Sequence, residues 1–125
     1  MEISIFVKEI NRADLTPVLA INPETPVKTI KSVLPSLKEI LVMGVHPGRE
    51  HQKFIPATLK KIREIKKLNK KILIQIDGGI NKKTIVQVAN AGADFVNSGS
   101  YISDAENPKE TINKLNRLFD RRKWN

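Results

Sequence analysis

Cysteine is absent from this sequence, which excludes a disulfide framework, a thiolate metal site and a thiol nucleophile. Aromatic residues make up only 5%, too few for the stacking platform of a single-strand nucleic-acid binder. No apolar run approaches the length of a bilayer span. The start, Met1-Glu2-Ile3-Ser4, lacks the basic opening of a signal peptide. The expectation is a cytoplasmic protein with no membrane partner. No internal repeat, low-complexity segment or linker divides the chain, so residues 1–125 are read as one domain of modest core.

What is present is ordinary for a globular protein: 40% hydrophobic and 28% charged residues. The formal net charge is +9, and a basic surface can serve nucleic acid, an anionic membrane or phosphorylated metabolites. Most of the excess lies in Lys60, Lys61, Arg63, Lys66, Lys67, Lys70 and Lys71 and in the tail Arg121-Arg122-Lys123. Leu59, Ile62, Ile65 and Leu68 recur among those lysines at near-helical spacing, which puts the cations on an outer, solvated face. A nucleic-acid partner is therefore not expected.

Four apolar runs read as strands: Pro17 to Ile21, Ile40 to Val45, Ile72 to Ile76 and Phe95 to Asn97. They lack strict alternation, as strands buried on both faces do. Each is followed by a helical pattern, and that alternation implies a parallel sheet with right-handed crossovers. Thr25-Pro26 reads as an N-cap and first helical residue, with Val27, Ile30, Val33 and Leu34 as the buried stripe and Pro35 as the stop. Pro56 opens the lysine-rich helix. Asn81 caps a helix carrying Ile85, Val88 and Ala89, and Gly92 suits its left-handed C-terminal end. Asn107-Pro108-Lys109-Glu110 opens a last helix whose apolar face is Ile112, Leu115, Leu118 and Phe119. At the N-terminus Ile3, Phe6, Val7 and Ile10 fit a short helix, while the β-branched content leaves a strand open.

Chemistry is expected at the C-terminal strand ends, where parallel α/β folds bind ligands. Asp77-Gly78-Gly79 follows the third strand. Paired glycines let backbone amides approach an anion, and the helix start that follows adds a favourable dipole. The plainer reading is a tight turn with a capping Asp. Ser98-Gly99-Ser100 repeats the arrangement one strand later, and the two together point to phosphate. Met43 by itself reads as core filler. His46 and His51 read as turn histidines, since no ligand partner stands at metal spacing, although either could assist an anion when protonated.

Several segments together resemble the ribulose-phosphate 3-epimerase family. They are Leu19-Ala20-Ile21-Asn22-Pro23-Glu24-Thr25-Pro26, Val42-Met43-Gly44-Val45-His46-Pro47-Gly48 with Gln52-Lys53-Phe54-Ile55, Ile76-Asp77-Gly78-Gly79-Ile80-Asn81, and Ala91-Gly92-Ala93-Asp94 with Gly99-Ser100. Their order is similar to that family's strands five to eight. The fold implied is α/β: half of a TIM (β/α)8 barrel, four parallel βα units preceded by a short helix.

The activity implied is interconversion of ribulose 5-phosphate and xylulose 5-phosphate, by metal-assisted proton transfer at C3 of the ketopentose phosphate. By the same resemblance Asp77 corresponds to the catalytic acid/base that also ligates a divalent metal cation. Met43, Gly48, Gly78, Gly79, Gly99 and Ser100 correspond to substrate- and phosphate-binding positions.

The departures are specific. The family draws its second aspartate, both metal-binding histidines and a substrate-binding serine from strands one to three, which this chain does not contain. Its loop Pro-Gly-Phe-Gly-Gly-Gln is here Pro47-Gly48-Arg49-Glu50-His51-Gln52, and Tyr101 and Ser103 also depart from the pattern. Four strands leave two edges and one inner face uncovered. The expected partner is thus a second copy, closing a pseudo-barrel with two Asp77 in one cavity, or a complementary N-terminal half-barrel chain. The alternative is a catalytically inactive sugar-phosphate-binding or structural remnant.

Overall fold

The computed structural model describes residues 2–120; the basic tail Arg121-Arg122-Lys123 lies outside the described residues. The chain runs α1 (Ile3–Arg12), β1 (Val18–Ile21), β2 (Glu39–Met43), α2 (Ala57–Leu68), β3 (Leu73–Asp77), α3 (Thr84–Ala91), β4 (Phe95–Asn97), α4 (Ser100–Ser103) and α5 (Pro108–Asp120). The four strands form one sheet in the order β1-β2-β3-β4, and every pairing is parallel. Sequential parallel strands joined by crossovers are the repeating unit of a (β/α)8 barrel, and four such units make half of one.

Alternation along the strands separates two faces. Ile21, Ile40, Val42, Ile74 and Ile76 point toward the helices and are buried. They pack with Ile62 and Ile65 of α2, Ile85 and Val88 of α3 and Leu115 of α5 in one core. The other face is open: Val18, Leu73 and Phe95 are 44%, 41% and 48% exposed. The expectation of strands buried on both faces is therefore corrected, because only one face has a helical layer. Nor is the open face uniformly apolar. Asn97 donates its amide to Gln75 Oε1, and Gln75 donates its own to Glu39 Oε1, so a polar ladder crosses three strands.

The cap signals act as their chemistry dictates. Asn81 Oδ1 accepts from the backbone N–H of Lys83 and Thr84 at 2.9 and 3.0 Å. Asn107 Oδ1 accepts from Glu110 N–H at 3.1 Å, and Gly92 ends α3 in the left-handed region. The expected helix from Pro26 to Leu34 does not form. In its place are two single 3-10 turns, Val27–Thr29 and Leu34–Ser36, with Pro35 inside the second. Two prolines nine positions apart leave little room to nucleate an α-helix, and Val27, Thr29, Ile30 and Val33 are β-branched. The apolar stripe survives the change, since Val27, Ile30, Val33 and Leu34 are all buried.

The lysine-rich helix also needs correction, because two of its cations turn inward. Lys66 Nζ donates to Asp94 Oδ2 at 2.7 Å and to the Ile72 carbonyl, and the same Asp94 oxygen accepts the Ile74 N–H at 2.9 Å. Lys61 Nζ donates to the carbonyls of Asn22 and Pro23, both at 2.9 Å. Partial burial there lowers the Lys61 pKa below its ordinary value, the nearby carboxylates of Glu24 and Glu64 opposing the shift. Each bond ties α2 to a strand end. The lysines thus help fix the helical layer as well as carrying charge.

Candidate functional site

At the C-terminal edge of the sheet the strands open onto a broad cleft of about 1110 Å³. Register sets its floor. Met43 of β2 is the partner of Asp77 of β3, which is the partner of Asn97 of β4. Because Ile74 and Ile76 face the helices, Asp77 faces the open side. Met43, Gly48, Asp77, Gly78, Gly79, Gly99 and Ser100 all line this cleft. The structure therefore brings these seven residues to one place, while His46 is not among the residues lining the cleft; the roles of the seven follow from resemblance.

The turn after β3 is built for close approach. Gly78 and Gly79 have φ of +105° and +72°, a region L side chains seldom occupy. A Cβ on Gly79 would lie 2.7 Å from the backbone of Phe54, so sterics as well as torsion require glycine here. The turn is pinned to its neighbour: Gly44 N–H donates to the Asp77 carbonyl at 2.6 Å, and Ile55 N–H donates to the Gly44 carbonyl at 2.8 Å. Thr84 Oγ1 donates to the Gly79 carbonyl at 2.7 Å.

By contrast, nothing lies within 4 Å of where a Gly99 Cβ would stand. Gly99 is followed by α4, a single turn that no sequence signal announces; its Ile102 and Ser103 N–H groups bond the Gly99 carbonyl. Gly44 and Phe54 carry a structural role that their motif alone does not reveal. The signal for Gly44 was a glycine ending an apolar strand, where neighbouring backbone must pass closely. A Cβ there would meet the Gly78 carbonyl oxygen at 2.6 Å.

The loop from the end of β2 to α2 forms one wall. Gln52 donates its amide to the carbonyls of His46 and Arg49. His46 Nδ1 pairs with Glu24 Oε1, and His51 Nε2 stands 2.8 Å from Asp104 Oδ2. The hydrogen bond and charge of Asp104, chiefly, raise the His51 pKa above its ordinary 6.5.

A divalent cation is the cofactor expected from the resemblance. Among the described residues, no three His, Cys, Asp or Glu side chains come together as a metal site. Asp77 offers one carboxylate; of the neighbours that share its row, Asn97 could add one neutral amide oxygen, whereas the Met43 thioether is too soft for a hard cation. The donor set of this chain does not complete such a site. No described helix is long and apolar enough to cross a membrane.

The ribulose-phosphate 3-epimerase of Helicobacter pylori strain J99 is 38% identical over 110 residues, covering 85% of this chain and 51% of that protein. The ribulose-phosphate 3-epimerase of Bacillus subtilis strain 168 is 38% identical over 102 residues, covering 78% of this chain and 47% of that protein. The chain thus spans about half the length of the curated relatives it matches. Among solved structures, 3-hexulose-6-phosphate synthase from Salmonella typhimurium aligns with a TM-score of 0.68 at 21% identity, over 94% of this chain and 55% of that one. That likeness speaks for the fold alone. The match to the sequence model of the Ribulose-phosphate 3 epimerase family runs over residues 1–103, taking in all four strand ends and both glycine turns, and so the chain belongs to that family.

Proposed function

We propose that this chain supplies the phosphate-binding half, and one of the two acids, of a site that interconverts ribulose 5-phosphate and xylulose 5-phosphate, and that another chain must complete it. The observation that carries the reading is the convergence of Asp77 with the turns at Gly78-Gly79 and Gly99-Ser100 on one cleft. Backbone amides at these turns would hold the phosphate, with Gly48 on the facing loop and Met43 against the carbon chain. The Asp77 carboxylate would exchange the proton at C3, which is acidified by the neighbouring carbonyl.

One carboxylate cannot serve both faces of a carbon. The second acid must therefore enter from the completing chain, a second copy or a complementary N-terminal half. Any metal would find one ligand in Asp77 and need the others from that same source, so no step is assigned to it. A cytoplasmic setting belongs to this reading, because a phosphorylated sugar does not cross a bilayer unaided.

The missing metal donors favour a second reading, a half-barrel that binds sugar phosphate without turning it over. Asp77→Asn separates the two when assayed with and without an added N-terminal half taken from a curated relative. Turnover that appears only on mixing and is lost by at least about a hundredfold in Asp77→Asn, with phosphate affinity kept, supports the epimerase half. Phosphate binding with no turnover in any mixture supports the binding module. Turnover that survives Asp77→Asn would remove Asp77 from the chemistry.

A further inference from the structure

The loop between β2 and α2 carries both histidines of the chain, and each meets a carboxylate from a different neighbouring loop. On one shoulder His46 pairs with Glu24, which follows β1. On the other His51 pairs with Asp104, which follows α4. Between them the Gln52 amide holds the carbonyls of His46 and Arg49 at 2.6 and 2.8 Å. The segment is thereby cross-linked within itself and tied down at both ends. Its residues Gly48 to Lys53 line the same cleft as Gly79 and Gly99. His51 has φ +60°, a left-handed conformation that an L residue keeps only when its surroundings hold it.

We propose that His46 and His51 are positioning residues that clamp this loop over the anion cleft through Glu24 and Asp104, and that loss of the His51 charge loosens the clamp, so anion binding weakens as pH rises. The inference rests on the phosphate-site reading above. Its physics is that of exposed ion pairs, each weak and each dependent on the imidazolium charge. A neutral ring can still donate one N–H, so release is a weakening rather than a break.

The groups around each histidine set the direction. His51 faces Asp104, with Glu50 adding to the stabilisation of its charge. Arg49 and Lys53 on the loop and Asp77 and Lys83 on the other walls line the same cleft. His46 faces Glu24, whose negative charge also acts on Lys61. Because the hydrogen bond and charge of Asp104 raise the His51 pKa, the contribution of that pair is fully present below the ordinary value and is lost as pH rises through the raised one.

The test uses the full chain and inorganic sulfate, which stays dianionic between about pH 5.5 and 8.5, where histidine titrates. Sulfate affinity should fall across that range by about two- to fivefold. Asp104→Asn should flatten that slope, and Glu24→Gln, which unties the other shoulder, should weaken sulfate binding. The His51 ring signal in the NMR spectrum should titrate with a midpoint that drops in Asp104→Asn.

A pH slope that persists in Asp104→Asn would mean that the imidazolium attracts the anion directly, and would overturn the clamp. A His51 midpoint indifferent to Asp104→Asn would overturn it as well. If sulfate fails to bind at any pH, the phosphate-site reading falls. The clamp is then judged by amide exchange of residues 46–53, corrected for intrinsic rates. Protection that decreases with pH supports it, and constant protection ends it.

Discussion

The two faces of one sheet are governed by different rules. On the helical side Ile40, Val42, Ile74 and Ile76 are wholly inaccessible. On the opposite side the residues one position along, Glu39, Leu73, Gln75 and Phe95, combine a polar ladder with exposed apolar groups. The difference teaches where this chain is self-sufficient. Its helical layer packs within the chain, whereas the second face mixes polar and apolar groups under no helix. Asp77 belongs to that second face, so the candidate acid stands on the side that the helical layer leaves uncovered.

The sharpest way to break the comparison is to truncate one residue on each face of the same strand. Ile76→Ala removes a fully buried side chain from the finished face and should cost about 2–5 kcal/mol in urea unfolding. Leu73→Ala, on the open face, should cost well under about 1 kcal/mol by the same measurement. Equal losses would mean that something covers both faces.

How far these faces were legible in the sequence follows from the same residues. The four strands, their parallel order and the caps at Asn81, Gly92 and Asn107 could be read because each rests on a local signal: an apolar run, a side-chain acceptor, a missing Cβ. Gathering Asp77 with Gly79 and Gly99 was also legible, since consecutive parallel strands must align their C-terminal ends. Three things were not. The stretch from Val27 to Ser36 kept a helical apolar spacing while its prolines and β-branched residues permitted only 3-10 turns. Lys61 and Lys66 looked like solvated charge because their partners, the Pro23 carbonyl and Asp94, are distant in sequence. The His51–Asp104 pair joins residues 53 apart, and no spacing rule anticipates such a contact.

A smaller effect is expected where the two faces meet, at the glycine turns on the cleft. Gly79→Ala forces a side chain into a left-handed φ and against the Phe54 backbone, which should cost about 1–3 kcal/mol. Gly99→Ala meets open space and should cost less than the change at Gly79, under about 1 kcal/mol. Thermal unfolding of both variants checks the pair. A destabilised Gly99→Ala would show that this turn is packed as tightly as the one after β3, and the contrast between them would be lost.

The smallest effect on folding should come from Phe95→Gln together with Val18→Thr on the open face. Both wild-type residues are nearly half exposed, so each exchange forfeits little burial and the pair should shift stability by less than about 1 kcal/mol. The same substitutions remove apolar surface from the two edge strands, where association with another chain would be seated. Sedimentation of the variant beside the wild type reads that second consequence directly. The wild type should associate with concentration, or with an added N-terminal half, and the variant should do so less. If the variant unfolds readily while association is unchanged, Phe95 and Val18 serve the chain's own core, and the open face is not where a partner docks.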